Sequence, residues 1–190
     1  MHFPIIPIII TLAGSTLAAP HMHKRQNPCF ITGSEALPEE VSSQAVGLAS
    51  AVTCDTSQTT IDGVPDVSSG GVTFSSINFA SSGQSPLAFA LDKFATTSPL
   101  ANNDVGFLQN ELNVYLATEA GIRSTGGNLA IKVPKFFLQF QIARVQQAQG
   151  AVSNVPGMTV DHQLEKVLKN AAGEDQALLN QVNELAANLN

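Results

Sequence analysis

Residues 104–150 read DVGFLQNELNVYLATEAGIRSTGGNLAIKVPKFFLQFQIARVQQAQG and decide the fold. This stretch contains the densest group of large apolar side chains outside the amino-terminal region, so any core must be built around it. Those side chains recur every three or four residues, which is the spacing of an amphipathic helix. Gly126 and Gly127 interrupt the spacing. We therefore predict two amphipathic helices joined by a glycine turn and a short extended piece.

Residues with capping chemistry set the expected bounds of these two helices. Asp104 is a suitable N-cap for a helix from Val105 to about Arg123, because its carboxylate can accept hydrogen bonds from the unpaired amides of the first turn. Pro134 is expected to open the second helix, since its missing amide hydrogen would be unpaired there in any case. Gly150 is expected to end it. The extended piece then lies between the two helices.

Three other segments are predicted to be helical. One begins at Pro38, and another begins at Pro86 after a serine cap. The third covers the tail after residue 158, where leucine and valine side chains form a stripe at intervals of three and four. Gly173 and Asp175 interrupt that stripe, so it fits either one kinked helix or two stacked helices.

A segment rich in serine, glycine and threonine separates the first two of these helices. Within it, Val72–Phe74 and Ile77–Phe79 are short runs of residues that favour strands. We predict a small β-hairpin or strand pair near residues 58–80. The predicted fold class is mainly α, a single-domain helical bundle of about five helices carrying this small β element.

The amino-terminal region has the features of a secretory signal peptide. An apolar run over residues 5–12 is followed by small residues that end at Ala19. A membrane helix is the alternative, but the run is far shorter than the ~20 apolar residues that span a bilayer. Lys24 and Arg25 follow, and this pair resembles the sites of kexin-type processing proteases. The predicted organisation is a signal peptide at 1–19, a propeptide at 20–25 and one mature domain at 26–190.

The two cysteines, Cys29 and Cys54, are predicted to form a disulfide bond. Disulfides form in the oxidising compartments through which secreted proteins pass, and two cysteines allow one pairing. Closing a loop of this length is worth roughly 3.5 kcal/mol in the chain-entropy description.

Charge and composition exclude several classes of partner. The chain has a formal net charge of −6 and therefore lacks the basic surface expected of a nucleic-acid-binding protein. Its carboxyl end is polar, which gives no hydrophobic tail for a lipid anchor. We expect neither a membrane span nor a nucleic-acid partner, and the partner is instead an unknown protein, a cell-wall component or a small hydrophobic molecule.

Few residues are available for catalysis. His162 is the single histidine left after the predicted processing, it lies in a polar helix start, and no GxSxG motif accompanies it. We therefore predict no metal site and no cofactor. A carboxylate pair is the remaining catalytic option. Glu111 and Glu119 lie eight positions apart on one predicted helix, although Glu111 is expected at the surface and Glu119 is expected to pair with Arg123.

An aromatic cluster offers a different kind of site. Phe136, Phe137, Phe140 and Tyr115 could line an apolar cavity between helices and hold a lipid or another small hydrophobe. Ordinary packing in the core is the alternative for the same side chains.

The layout as a whole resembles the fungal small secreted proteins of uncharacterised function. The shared features are the signal peptide, the Lys-Arg pair, one cysteine pair and a helical body rich in Ser, Ala and Gly, together with the segment EAGIRSTGGNLAIKVPKFFLQFQIARVQQAQG at residues 119–150. The resemblance implies extracellular or cell-wall residence, and it provides no catalytic residues.

These observations lead to a secreted, non-enzymatic protein that acts by binding or as a structural component at the cell wall or host interface. The first alternative is a carrier of a lipid or small hydrophobic ligand in a helical core. The second alternative is a hydrolase that uses a carboxylate pair.

The processing scheme predicts the mass of the secreted product. Intact-mass spectrometry of the protein from culture medium should give residues 26–190 less two hydrogens, because Cys29 and Cys54 are joined. Cyclisation of Gln26 would remove ammonia as well. A product that begins at Pro20 would contradict cleavage after Arg25.

Overall fold

The computed structural model describes residues 27–151 and 155–189, so the predicted signal peptide and the processing site at Ala19, Lys24 and Arg25 lie outside the described residues. The described chain contains six α-helices and a three-stranded antiparallel sheet with strand order β1-β2-β3, which confirms the mainly α prediction. The helices are α1 Glu39–Leu48, α2 Pro86–Lys93, α3 Val105–Thr125, α4 Lys132–Ala148, α5 Val160–Asn170 and α6 Gln176–Ala187. The strands are β1 Thr53–Thr59, β2 Pro65–Ser69 and β3 Val72–Thr73.

Helix α3 lies at the centre of the molecule. It packs against α1, α4 and the sheet, so most of its circumference is buried. The Asp104 carboxylate caps it by accepting hydrogen bonds from the amides of Gly106 and Phe107 at 2.8 and 3.2 Å. Gly126 ends it with a φ of 74°, a left-handed conformation that favours glycine. The predicted start is confirmed, and the end lies two residues beyond the predicted Arg123.

Tyr115 anchors the middle of α3 in an aromatic cluster. Its side chain is fully buried, and its ring meets the edges of Phe74 and Phe94 at centroid distances of 5.4 and 5.6 Å. Its hydroxyl donates a 2.6 Å hydrogen bond to the carbonyl oxygen of Ile77. Burial raises the pKa of Tyr115, so the phenol remains a hydrogen-bond donor in the core.

The connection between α3 and α4 differs from the extended piece that was predicted. A 3₁₀ turn at Leu129–Ile131 runs directly into α4, and the Asn128 side chain caps it by accepting a hydrogen bond from the amide of Ala130. Helix α4 begins at Lys132 rather than at Pro134. Pro134 is accommodated as the third residue of α4, because the amides of a first helical turn have no acceptor within the helix and a missing amide hydrogen costs nothing there.

A small β element near residues 58–80 is confirmed, since β2 and β3 form an antiparallel pair there. The two strands predicted at Val72–Phe74 and Ile77–Phe79 are wrong apart from the two residues of β3. Residues Phe74–Ile77 form a 3₁₀ turn, which buries both end residues in the core. The main pair is instead β1 with β2, which run antiparallel with Cys54 opposite Val67. Strand β1 is almost wholly exposed, so its sequence lacks the alternation of apolar residues that marks a half-buried strand.

The tail folds as two helices rather than one kinked helix. Asp175 caps α6 by accepting a hydrogen bond from the amide of Ala177 at 2.7 Å, which explains the acid that interrupts the apolar stripe. Arg144 of α4 holds the far end of α6, since its guanidinium donates 2.8 Å hydrogen bonds to the carbonyl oxygens of Leu185 and Asn188. A cation at the carboxyl end of a helix is also favoured by the helix dipole.

The predicted disulfide bond is present. Cys29 and Cys54 are joined with their Cα atoms 6.0 Å apart, which attaches the amino-terminal segment to the start of β1. That segment continues to Phe30, which is fully buried beside α3.

Close packing against α3 predicts opposite effects for two helical glycine substitutions. A Cβ atom at Gly121 would lie 2.6 Å from the carbonyl oxygen of Phe30 and 2.8 Å from the methyl groups of Val64. Gly121→Ala should therefore lower the free energy of unfolding by about 1–3 kcal/mol. A Cβ atom at Gly47 in α1 would meet no heavy atom within 4 Å, and Gly47→Ala should raise that free energy by about 0.5–1 kcal/mol.

Urea denaturation of the two variants beside the unsubstituted protein provides the measurement. Equal effects of the two substitutions would contradict the close approach of α3 to the amino-terminal segment.

Candidate functional site

A cavity of about 240 Å³ opens between α1, α3, α4 and α5, and we call it the basic cleft. Its charged lining consists of Arg123, Lys132, Lys135, Lys166, Lys169, Glu40 and Glu119. These five cations are a large share of the chain's nine lysine and arginine side chains. A positive site has thus formed on a protein whose net charge is −6.

Glu119 organises the inner wall of the cleft. One of its carboxylate oxygens accepts hydrogen bonds from Nε and Nη2 of Arg123 at 2.9 and 2.8 Å. The other oxygen lies 2.7 Å from Nζ of Lys135. The pairing with Arg123 one turn later is confirmed, whereas the contact across to α4 is not visible in the sequence. Two partners satisfy the buried carboxylate and fix both cations at the cleft wall.

Lys135 is an unusual lysine because its side chain is only 10% exposed. Its ammonium lies 3.9 Å from the centroid of the Phe136 ring, a distance at which a cation is attracted to the face of an aromatic ring. Burial lowers the pKa of Lys135, and the carboxylate of Glu119 opposes that shift.

Three lysines of the cleft have no ion-pair partner within residues 27–151 and 155–189. They are Lys132, Lys166 and Lys169. Lys132 and Lys135 lie three residues apart on α4, and Lys166 and Lys169 lie three residues apart on α5. Because side chains three apart share a helix face, each helix presents a pair of lysines to the cleft between them. The repeated KxxK spacing is the signal that could have revealed this site from the sequence.

The four aromatic residues predicted to line an apolar cavity occupy different environments. Phe137 and Phe140 are fully buried, with ring centroids 6.0 Å apart. Tyr115 is packed against Phe74 and Phe94 as described above. Phe136 is half-buried and lines the basic cleft. The structure therefore brings Phe137 and Phe140 together, and it places Phe136 beside charged groups.

A second cavity of about 240 Å³ lies between the end of α2 and the first turns of α3, and we call it the Glu111 cavity. Glu111 was expected at the surface, but the residue is only 4% exposed. Burial raises the pKa of Glu111 to about 7, although the ammonium of Lys93 opposes the shift. In the described part of the chain this carboxyl group has no hydrogen-bond partner.

The candidate carboxylate pair does not share one site. Glu119 lies in the basic cleft, whereas Glu111 lines the other cavity. Eight helical residues correspond to about 12 Å along the axis and to roughly 80° around it, so the two side chains leave α3 in different directions.

The remaining candidate groups form no further site. His162 is half-buried in the first turn of α5, where its amide donates a hydrogen bond to the Thr159 hydroxyl. Among residues 27–151 and 155–189, no group of three or more His, Cys, Asp or Glu side chains is placed to bind a metal ion. The helices within those ranges include none that is long and apolar enough to cross a membrane.

Comparison with known proteins identifies the family. The family model described as a domain of unknown function, DUF7143, matches residues 31–190, and the chain belongs to that family. The match includes every residue of the basic cleft and of the Glu111 cavity. No curated protein and no solved structure matches the chain.

The buried Glu111 carboxyl predicts how stability depends on pH. Its pKa in the folded protein, about 7, lies above its ordinary value of 4.5, so the folded state retains the proton longer than the unfolded chain. The resulting contribution to stability is present below pH 4.5 and is lost as the pH rises to about 7. Glu111→Gln, whose side chain is neutral at every pH, should add roughly 1–2 kcal/mol to the free energy of unfolding at pH 8 after allowance for solvent screening, with little effect at pH 4.

Chemical denaturation of both proteins across this pH range gives the measurement. Glu165→Gln removes the same charge from an exposed position on α5 and serves as the control. A gain that is equal at pH 4 and pH 8 would show that Glu111 does not retain its proton on folding.

Proposed function

We propose that this protein is a secreted, non-enzymatic binding protein that holds a small anion with two or more negative charges in the basic cleft. The observation that carries the proposal is the concentration of five cations around one cavity in an otherwise acidic chain. The five cations outnumber the two carboxylates of the lining, Glu40 and Glu119. A cleft with such an excess of positive charge attracts anions and raises their local concentration.

The unpaired lysines supply the binding groups. Lys132, Lys166 and Lys169 can each donate charge-assisted hydrogen bonds, which are about twice as strong as neutral ones. Arg123 and Lys135 are already engaged by Glu119, so they set the shape and potential of the wall. Three ammonium groups that form no ion pair within the described residues suit a phosphate ester, a sulfate ester or a polycarboxylate.

Polar uncharged groups add a second type of contact. The amides of Gln44, Gln139 and Asn170 line the same cavity, together with the carboxylate of Glu40. Amides and a carboxylate bind hydroxyl groups well, because together they offer both donors and acceptors. The combination favours an anion that also carries hydroxyls, such as a phosphorylated or carboxylated sugar, which accords with action at a cell wall or host interface.

Secretion is the other part of the proposal. It is supported by the predicted signal peptide, by the disulfide between Cys29 and Cys54, and by the finding that no described helix could span a membrane.

The two alternative functions remain as competing proposals with less support. A carrier of hydrophobes in the helical core would need an apolar cavity beside Phe136, Phe137 and Phe140, and the cavity that does lie beside Phe136 is lined mainly by charged groups. A hydrolase would need two free carboxylates in one cleft, whereas Glu119 is held in two ion pairs.

Binding of pyrophosphate tests the proposal. Isothermal titration calorimetry at low ionic strength should show one site, with affinity that falls as salt screens the lysines. Lys132→Gln and Lys169→Gln should each weaken binding by about tenfold, since each removes a hydrogen bond between charged groups. Lys93→Gln removes the same charge outside the cleft and should leave the affinity nearly unchanged.

Two results would overturn the proposal. One is the absence of pyrophosphate binding together with the absence of binding by citrate and by glucose 6-phosphate. The other is an equal loss of affinity in Lys93→Gln and Lys169→Gln, which would indicate a response to net charge alone.

A further inference from the structure

Glu111 presents a physical problem that the basic cleft does not solve. A largely buried carboxyl group without a hydrogen-bond partner in the protein costs free energy, because part of its hydration is lost and no protein group replaces it. Glu111 is 4% exposed and, within the described residues, forms neither a hydrogen bond nor an ion pair. Its carboxyl lines a cavity of about 240 Å³, so a partner could enter from outside.

The walls of the Glu111 cavity limit the size and character of that partner. The apolar part of the lining consists of Phe94, Ala95, Phe107 and Leu108. The volume corresponds to about eight water molecules at ~30 Å³ each, which is enough for a molecule with a single ring. It is smaller than the ~300 Å³ at which sites for larger organic ligands begin.

Phe107 distinguishes this cavity from ordinary core packing. The residue is 51% exposed, although it is a large aromatic residue at the start of the central helix. The other phenylalanines of the region, Phe89 and Phe94, are buried against each other with ring centroids 5.8 Å apart. The ring of Phe107 is thus left with a face that another flat ring can cover.

Two other polar side chains of the cavity have partners of their own. Asp104 accepts two hydrogen bonds from its own helix. The Asn103 side chain bonds to Thr97 and to the carbonyl oxygen of Leu100. Lys93 lies near enough to influence Glu111 but forms no ion pair with it. Of the two carboxyl groups in the cavity, that of Glu111 is the one with no hydrogen bond or ion pair on either oxygen within the described residues.

We infer that the Glu111 cavity is a second ligand site, for a single-ring molecule that donates a hydrogen bond from a hydroxyl or amide group to Glu111 while its ring packs against Phe107. The ligand class is a small phenol or a heteroaromatic compound with an N–H donor. The site is separate from the basic cleft and uses none of its residues.

Phenol and toluene are matched probes, because they differ by the hydroxyl donor alone. Titration of the full mature protein at pH 8, followed by ¹H–¹⁵N NMR, should shift amides near Phe107 and Glu111 with phenol. Phenol should bind at least about tenfold more tightly than toluene, since a hydrogen bond to a buried charged group is worth roughly 1.5–3 kcal/mol.

Two substitutions separate the contribution of the carboxyl group from that of the ring. Glu111→Leu replaces the carboxyl group with an apolar side chain of similar size. It should remove the preference for phenol while toluene still binds. Phe107→Ser should weaken both probes, because it removes the exposed ring. The NMR spectrum of each variant also shows whether it has folded, and Glu165→Gln, which removes the same charge from an exposed position on α5, serves as the control.

The inference fails if phenol and toluene bind equally to the unsubstituted protein, or if Glu111→Leu retains the preference for phenol. It fails equally if the shifted amides lie outside the first turns of α3 and the end of α2. Because pyrophosphate is expected to shift amides of α4 and α5 instead, failure here is distinguishable from failure of the proposed anion site.

Discussion

Burial of α3 on most of its circumference is the constraint on which the rest of the structure depends. A central helix brings its polar side chains into the core, where each needs a partner to offset the loss of water. Tyr115 finds one in the carbonyl oxygen of Ile77, and Ser124 accepts a hydrogen bond from the amide of Gly33. Glu119 finds Arg123 and Lys135. These contacts attach the sheet region, the amino-terminal segment and α4 to one helix, and so determine where each lies.

The same constraint produces the two candidate sites. Where the polar partner comes from the protein, as at Glu119, the side chains that supply it are fixed at the wall of the basic cleft. Where no partner is supplied, as at Glu111, a carboxyl group is left facing a cavity. The basic cleft and the Glu111 cavity are the two places described here where the packing around α3 is incomplete. Functional sites are expected at such places.

Much of the fold was predictable because it depends on local chemistry. The capping roles of Ser85 and Asp104 are confirmed, since a side chain two or three residues from an unpaired amide reaches it in almost any tertiary setting. Strand β1 was missed because its exposure leaves no alternation of apolar residues to detect. The surface position expected for Glu111 was wrong because the residues that border its cavity include Lys93 and Phe94, which come from another part of the chain.

The sequence by itself determined the mainly α class, the caps of α2 and α3, the disulfide pairing and the Glu119–Arg123 pair, because each follows from residues close together in the chain or from a single possible pairing. The basic cleft and the Glu111 cavity were decided by tertiary structure alone. Lys132 and Lys169 lie on different helices, and only the packing of α4 against α5 turns two separated KxxK segments into one positive surface. Charge and burial are properties of neighbours in space, and the sequence order of a helical protein does not reveal which helices become neighbours.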